Sequence, residues 1–481
     1  MFKLTPLAAA VLILASTQTL ADDSVSTQDQ SGNVNIANVY QIDASQASTI
    51  QTQRGDGNDA AAVQQVTNNP IEQTQEGTQN AGYADQLYES TGAIVQKQNG
   101  SFNGTHASQS TGYDNQALQQ QLGEGNFSFI IQESQIGAQA TTYQSGSNNE
   151  ANIEQLFSGS NNNALVIQTG MGQFAAAEHL NYLNGQIEIN QNGDGNWAYA
   201  EQGEGIGGNV NVIQDGMLNS VEVWQDSQVG SRAGITQSGD SNETVADQSF
   251  GESNLTTILQ IGGGNAIYAD QFESNNSTTN LFQDGQGNLA LTYQTGENQS
   301  LVVSSVGDDN KVYASDWQGP QHGGQFGSNQ RAEIYQDGTG NTANLTQKDI
   351  SQHTQLSQSG YGNQASVSQS DAYNELYFEQ NGTDNILVAD QRGTENLGSG
   401  TSSGTGNIVE LEQSGSGNQS YTYQLYGDTN LASIKQTDGV NMAYITQGGS
   451  ANQANVDQSG HNMNATIQQT GTRNQASVLQ Q

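Results

Sequence analysis

The sequence predicts an all-β protein, a β-solenoid in which two-strand coils of about 22–23 residues stack along one axis. Three observations predict this fold class. Glutamine, or in four places another residue, recurs every 11 or 12 residues from Gln30 to Gln480, with one step of 13 between residues 155 and 168 and a break in register between residues 305 and 325. The residues before each glutamine alternate with period two. The composition, 33% hydrophobic with 57 glycines among 481 residues, holds too little apolar material for ordinary globular cores.

The N-terminal segment has the features of a secretory signal peptide. Lys3 precedes an apolar stretch from Leu7 to Ala15, and the small residues Thr19 and Ala21 precede Asp22. Residues 1–21 are therefore predicted to be a signal cleaved after Ala21. The apolar stretch is shorter than the ~20 residues that a membrane-spanning helix needs, and no later stretch is apolar enough. We expect a secreted, extracellular chain with no membrane insertion.

The glutamine positions divide the remaining chain into four parts. Residues 22–29 form a short N-terminal lead with the first strand, and residues 30–304 hold repeats whose period is mostly 23. Residues 305–324 are irregular, and residues 325–481 return to repeats whose period is mostly 22. Four anchor positions do not hold glutamine: His179, Ser305, Asp316 and Ser402. We expect His179 to replace glutamine within the repeat.

One repeat, QNGDGNWAYAEQ at residues 191–202, shows the physical pattern. Asn196, Ala198, Ala200 and Gln202 lie on one face of the predicted strand, and the alternate residues lie on the other. The x-G-x-G segment before the strand supplies glycines for a tight turn, which needs positive φ angles. The predicted turn glycines include Gly193, Gly338, Gly360, Gly460 and Gly471.

Stacked coils place each inward Gln or Asn over its equivalent in the next coil. Their amides can then form hydrogen-bonded ladders, as in amyloid, which satisfies polar groups that are costly to bury. A disordered Gln/Asn-rich tract is the alternative, but such tracts do not hold register over hundreds of residues. The predicted ladder residues include Gln30, Asn35, Gln41, Gln53, Asn58, Gln191, Asn196, Gln202, Gln260, Asn265, Gln336, Asn341, Gln347, Gln358, Asn363, Gln369, Gln469, Asn474 and Gln480.

The charge is strongly acidic, with 48 acids against 10 bases and a formal net charge of −38. This balance disfavours binding to nucleic acid and to anionic membranes, and it attracts divalent cations or basic partners. Many acids occupy the outward position directly before the anchor, where carboxylates of neighbouring coils repel and would slow assembly: Asp85, Glu154, Glu201, Asp247, Asp270, Glu379, Asp390, Glu412 and Asp457.

The repeated unit resembles the curlin repeat of bacterial curli subunits. The units that carry the resemblance include QSGYGNQASVSQ (358–369), QNGDGNWAYAEQ (191–202), QDGQGNLALTYQ (283–294) and QTGTRNQASVLQ (469–480). The resemblance implies an extracellular functional amyloid, secreted unfolded through an outer-membrane pore and assembled into biofilm matrix fibres with a related curlin subunit or nucleator and chaperones. The chain departs from the family in having about twenty repeats instead of about five. It also lacks the short nonrepeat secretion segment after the signal.

Both ends of the array are expected to act in assembly. The first strand starts close to Asp22, and Gln480 is followed only by Gln481. Uncapped strand edges template further pairing, so head-to-tail stacking of copies is expected to give a homopolymer filament.

Shorter motifs support no other chemistry. Arg54-Gly55-Asp56 lies where the repeat already requires glycine, and the five histidines show no metal-ligand spacing. The 11–12-residue period does not fit a calcium-binding β-roll of period nine. No catalytic constellation stands out, so we expect no enzyme, no metal and no cofactor.

Three functions follow from these residues. The first is a structural fibre subunit for biofilm matrix, adhesion and cell aggregation, or the surface-held nucleator of the same fibre. The second is a non-polymerising β-solenoid adhesin or binding rod. The third is a matrix-active enzyme.

Overall fold

The computed structural model describes residues 23–315 and 323–481. Within these ranges the regular structure consists of β-strands alone. The strands are short, and most follow the alternation of inward and outward side chains in the sequence, so the prediction of an all-β chain is confirmed. The predicted signal, residues 1–21, lies outside the described residues.

In chain order, the first strands are β1 Val25–Ser31, β2 Ile36–Ile42, β3 Ser48–Asp56, β4 Asp59–Gln65, β5 Pro70–Thr78, β6 Ala81–Leu87, β7 Ala93–Ser101, β8 Gly104–Ser110, β9 Gln116–Glu124, β10 Phe127–Glu133, β11 Gln139–Ser147, β12 Glu150–Leu156, β13 Asn163–Met171, β14 Phe174–Leu180, β15 Gln186–Asp194, β16 Trp197–Gly203, β17 Asn209–Met217, β18 Ser220–Val229, β19 Arg232–Asp240, β20 Glu243–Glu252 and β21 Leu255–Gly263. They continue with β22 Ala266–Asn275, β23 Thr278–Gln286, β24 Leu289–Glu297, β25 Ser300–Asp308, β26 Lys311–Ala314, β27 Gly324–Ser328, β28 Arg331–Thr339, β29 Thr342–Ile350, β30 His353–Tyr361, β31 Gln364–Ala372, β32 Glu375–Thr383, β33 Ile386–Thr394, β34 Leu397–Thr405, β35 Ile408–Ser416, β36 Gln419–Leu425, β37 Leu431–Gly439, β38 Met442–Gly448, β39 Gln453–His461, β40 Asn464–Thr470 and β41 Gln475–Gln480.

The strands form two parallel sheets, and the chain alternates between them. The first sheet contains β1 and the other odd-numbered strands to β25, then the even-numbered strands from β28 to β40. The second sheet contains the remaining strands. Equivalent residues of successive coils lie in register: Gln191 of β15 lies opposite Gln214 of β17, and Gln358 of β30 lies opposite Gln380 of β32. The chain is thus a β-solenoid, as predicted, and 20 rungs at ~4.8 Å give a rod on the order of 95 Å long.

A narrow core runs between the two sheets. Ala198 and Ala200 of β16 and Val210 and Val212 of β17 are 0% exposed. Small and β-branched side chains dominate this core because each coil brings the two inner faces close together. The apolar positions alternate with buried Gln, Asn and Thr, so hydrophobic burial alone does not account for the packing.

The irregular stretch is an insertion within a single rung. Short strands β26 and β27 both lie between β24 and β29 in the second sheet. Gln294 Nε2 donates to Gln325 Oε1 at 2.7 Å, and Gln325 Nε2 donates to Gln347 Oε1 at 2.8 Å. The glutamine column therefore continues through Gln325. Asp316, which the sequence suggested as an anchor, lies outside the described residues.

One corner of the rod differs from the predicted tight turn. Between the second and the first sheet, several coils carry a wide corner with one buried and one outward residue, such as Tyr182 and Leu183. The outward residues of successive wide corners form single parallel bridges, which gives the coil a short third side. We call these outward residues the edge column: Ser90, Tyr113, Ile136, Ser160, Leu183, Ile206 and Val229.

Candidate functional site: side-chain ladders and end coils

One long glutamine ladder runs along each sheet, and a shorter one in the first sheet joins Gln28, Gln51, Gln73, Gln96 and Gln119. In the first sheet, Gln53 Nε2 donates to Gln75 Oε1, and Gln75 Nε2 donates to Gln98 Oε1, each at 2.8 Å. The second amide hydrogen crosses the core, since Gln75 Nε2 also donates to the carbonyl of Asp59 on the second sheet at 2.9 Å. Gln75 therefore links three coils of its own sheet and connects the two sheets.

An asparagine ladder runs along the turns that lead into the second sheet. Asn80 Nδ2 donates to Asn58 Oδ1 at 3.0 Å, in the preceding coil. The same Nδ2 donates to the carbonyl of Gly100 in the following coil, also at 3.0 Å. The direction of donation is opposite to that of the glutamine ladders, which donate towards the C-terminal end of the rod.

The turn glycines form a column beside this asparagine ladder. Gly193 has a φ of 112°, and a Cβ on it would lie 2.0 Å from the carbonyl oxygen of Gly216 in the next coil. Gly338 and Gly360 show the same relationship to the glycines above them. Glycine is thus required both by the backbone angle and by the close approach of the next coil.

The structure places the predicted ladder residues on the inward face of their strands and turns. Most of them are buried: Gln53, Asn58, Gln191, Asn196, Gln202, Gln260, Asn265, Gln336, Asn341, Gln347, Gln358, Asn363, Gln369 and, in the last coil, Gln469. The other ladder residues of the first and last coils retain exposure: Gln30, Asn35, Gln41, Asn474 and Gln480. The predicted turn glycines all have positive φ: Gly193, Gly338, Gly360, Gly460 and Gly471.

The three described anchors without glutamine differ in what they contribute. Ser305 Oγ donates to Gln336 Oε1, and Ser402 Oγ donates to Gln424 Oε1, each at 2.9 Å. His179 occupies its anchor position and is 0% exposed, but neither ring nitrogen has a hydrogen-bond partner among the described residues. Burial lowers the pKa of His179 to about 3, so the ring is neutral at ordinary pH. Contrary to expectation, His179 does not replace glutamine as a ladder member.

The buried residues of the wide corners alternate between large polar side chains and glycine, a pattern that sequence reasoning missed. A Cβ on Gly112 would lie 2.5 Å from Glu89 Oε2, and one on Gly205 would lie 2.5 Å from a ring carbon of Tyr182. The signal was present as a regular alternation, at twice the period of the repeat, in the column Glu89, Gly112, Gln135, Gly159, Tyr182, Gly205, Gln228 and Gly251.

Glu89 is the carboxylate of this buried column. It is 1% exposed; its Oε1 accepts a hydrogen bond from Asn115 Nδ2 at 3.0 Å, and its Oε2 has no partner among the described residues. Burial raises the pKa of Glu89 to about 7, and the charge of Asp114 adds to the rise. The equivalent place two coils further on holds neutral Gln135, whose Nε2 donates to the carbonyl of Phe157 at 2.8 Å.

The outward acids lie in register along the second sheet. Glu154 pairs with Glu178, and Glu178 pairs with Glu201, on consecutive strands. Burial raises the pKa of Glu178, and the two neighbouring carboxylates raise it further. Asp85 departs from the predicted exposure, since it is only 7% exposed and accepts a hydrogen bond from Ser108 Oγ at 2.9 Å.

The two end coils carry complementary hydrogen-bonding groups. At the N-terminal coil, Gln30 and Gln41 donate to the next coil, and among the described residues no ladder amide donates to their own Oε1 atoms. At the C-terminal coil, Gln469 and Gln480 accept from the preceding coil, and within the described ranges their Nε2 atoms donate to no ladder amide. One end thus presents glutamine acceptors and the other presents glutamine donors.

The described residues include an Arg-Gly-Asp tripeptide but no metal-binding cluster and no helix that could span a membrane. Arg54 of the Arg-Gly-Asp tripeptide forms an exposed ion pair with Glu76 at 3.2 Å. Within residues 23–315 and 323–481, no three His, Asp or Glu side chains are arranged to hold a metal ion. No helix suited to crossing a membrane occurs in these ranges.

The comparison with protein families finds the curlin associated repeat at residues 138–170 and 404–437. The two matches lie in the N-terminal and C-terminal halves of the rod, in segments that share the ladder geometry described above. The chain therefore contains curlin associated repeats in these two segments, and the resemblance seen in the sequence is confirmed. No curated protein matches the chain.

Proposed function

We propose that this chain is a structural subunit of an extracellular, curli-like amyloid fibre. The curlin repeat family is associated with extracellular curli fibres, and a rod filled by ladders suits a structural protein rather than an enzyme. The fibre would serve as biofilm matrix and support adhesion and cell aggregation. The observation that carries the proposal is the complementarity of the two end coils.

Head-to-tail stacking would continue every ladder from one copy into the next. Gln469 and Gln480 of one copy would donate to Gln30 and Gln41 of the following copy, in the sense of donation seen within the rod. The asparagine ladder has the opposite sense, since Asn474 Nδ2 donates back to Asn452 at 2.9 Å. The contact between unlike ends does not close on itself, so it produces a filament.

Export would follow the family pattern. Residues 1–21 would direct secretion, and an outer-membrane pore with chaperones would carry the chain before it folds. A related curlin subunit is the expected nucleating partner. Deletion of residues 2–21 tests the export step: the protein should then stay inside the cell, whereas its appearance on the cell surface would refute this route.

Assembly is tested directly with residues 22–481 diluted from denaturant to a low micromolar concentration. We expect unbranched filaments that seed fresh monomer and give a meridional reflection near ~4.7 Å. A variant with lysine at Gln30 and Gln41 should keep the rod but lose elongation, because buried charge at the joint is costly. A matched variant with lysine at the outward residues Ser366 and Ser368 should elongate normally. A monodisperse wild-type rod that never elongates would favour the adhesin or binding rod instead.

A further inference from the structure

The edge column is an unusual surface for so acidic a chain. Tyr113, Ile136, Ile206 and Val229 are 52%, 56%, 47% and 49% exposed, although each is a large apolar side chain. The parallel bridges hold the column straight, with one side chain per coil, so that seven coils give a strip about 29 Å long. Five of the seven residues are apolar, with half-buried Ser90 at one end and half-buried Ser160 between Ile136 and Leu183. An exposed apolar strip of this kind is a candidate interaction site.

Carboxylates lie at one end of the strip and along its sides. The column continues from Val229 to exposed Glu252, its neighbour on the next strand. The exposed carboxylates of Asp114 and Glu204 flank the strip, on opposite sides of the column in chain order. The outward residues of the strip itself carry no carboxylate, whereas the second sheet carries in-register acids such as Glu178 and Glu201.

Exposed apolar residues at the other corners of the rod lack this continuity. Tyr373 is 54% exposed at a corner of the C-terminal half, where Ser351 and Glu395 hold the equivalent positions of the adjacent coils. A single exposed side chain of this kind is ordinary for a protein surface. The continuous strip is therefore a property of the wide corners and not of the repeat in general.

We infer that the edge column is the lateral interface between two copies of this rod. A partner that contacts every residue of the strip must repeat at the strand spacing along a straight line, and another copy of the strip meets that requirement. Two copies with 48 acids and 10 bases each repel across their acidic faces, and the edge offers an approach in which no carboxylate lies on the contact line. This inference rests on the proposed fibre function, but it concerns the lateral pairing of filaments and not their end-to-end elongation.

The size of the strip makes pairing depend on elongation. A strip one side chain wide is smaller than the ~800 Å² per partner that stable interfaces bury. Single rods should therefore pair weakly, and only at high concentration. Rods joined end to end present many strips at fixed intervals, and the contacts then add as a multivalent interaction.

The centre of the strip provides a cross-linking test. Ser160 is the fourth of the seven residues, so a two-fold axis through the middle of the interface, along or across the rod, brings the two Ser160 side chains together. The chain has no cysteine, so a Ser160→Cys variant carries a single thiol. Under mild oxidation of assembled protein we expect disulfide-linked dimers. The matched Ser366→Cys variant, on the outward face of β31, should give few.

Filament width provides the second readout. A variant with Ile136→Asn and Ile206→Asn should elongate at the wild-type rate but form filaments one rod wide, whereas wild type and Tyr373→Asn should form paired filaments. Equal widths in all three proteins, or equal cross-linking at residues 160 and 366, would overturn the inference. If no filament of any width grows, the fibre proposal fails, and the edge contact is then tested on concentrated single rods. Cross-linking at residue 160 but not at residue 366 would support the edge contact. The absence of cross-linking at residue 160 would refute the edge contact.

Discussion

Asn196 Nδ2 donates to the carbonyl oxygen of Gly216 at 3.0 Å, and a Cβ on Gly193 would lie 2.0 Å from that same oxygen. The asparagine ladder and the glycine column are therefore one arrangement. Glycine lets consecutive turns approach closely, and the asparagine then satisfies the carbonyl that the approach brings inward. The spacing of Gly and Asn in the repeat follows from this shared oxygen.

This arrangement predicts that Gly193→Ala destabilises the rod strongly. The residue would have to keep a φ of 112° and would still clash with Gly216, so we expect a loss of about 3 kcal/mol or more in the free energy of unfolding. Urea unfolding followed by circular dichroism measures it. Gly234→Ala is the matched control, because a Cβ there meets nothing within 4 Å. A similar loss in both variants would contradict the shared-oxygen explanation.

The sequence alone was enough to predict the ladders, because Gln and Asn recur at fixed positions and period two assigns their face. It did not predict the wide corners. The residues with positive φ in these corners include Tyr88, Asn181 and Glu204, so no single residue type marks the corner in the sequence. The alternation of large residues such as Tyr182 with glycines such as Gly205 has twice the period of the repeat. One large side chain fills the space of two coils, and this reason becomes visible only when the coils are stacked.

The in-register carboxylates predict faster elongation in acid. Protonation removes the repulsion among Glu154, Glu178 and Glu201, and the raised pKa of Glu178 places the effect above the ordinary titration range of a glutamate. We expect elongation, followed by thioflavin fluorescence, to accelerate several-fold as the pH falls towards the sequence pI of about 4.1. Added salt should act in the same direction at neutral pH.

Glu178→Gln should reduce this pH dependence. Its control is Glu410→Gln, which removes an exposed carboxylate whose neighbours on the adjacent strands are Val388 and Ser433. The control should elongate with the wild-type pH profile. Elongation that is independent of pH and salt in the wild-type protein would refute the repulsive role of the acids.

The raised pKa of Glu89 predicts that the folded rod loses stability as the pH rises. Its pKa is raised from 4.5 to about 7 in the folded rod, so its contribution to stability is fully present below about pH 4.5 and is lost as the pH rises through about 7. Glu89→Gln should therefore stabilise the protein at pH 8 by about 1–2 kcal/mol after allowance for solvent screening. At pH 4 the variant and the wild type should unfold at similar urea concentrations.

The control for Glu89 is an exposed glutamate of the same part of the chain. Glu124→Gln removes a carboxylate that lies in solvent at the end of β9. It should leave the difference in stability between pH 4 and pH 8 as it is in the wild type. If Glu89→Gln also leaves that difference unchanged, the buried column is not the source of the pH dependence.

His179 predicts a stabilising substitution. Glutamine at this position could accept from Gln155 and donate to Gln202, which lie opposite it on the adjacent strands. Each restored hydrogen bond contributes about 1 kcal/mol. The advantage should grow in acid, because the histidine pKa of about 3 is depressed from 6.5, and the stability that neutral histidine provides is lost as the pH falls from about 6.5 towards 3.

Urea midpoints at pH 7 and pH 4.5 measure this effect, with His461→Gln as the control because His461 is exposed at the end of β39. We expect His179→Gln to raise both midpoints, with the larger rise at pH 4.5, and His461→Gln to change neither. An unbroken glutamine ladder connects the coil by hydrogen bonds to the coils on both sides. The histidine leaves Gln202 Oε1 without a partner among the described residues. A lower midpoint for His179→Gln would show that the ring is retained for its packing against Tyr182, 6.3 Å away between ring centres, and that the ladder tolerates the gap at no cost.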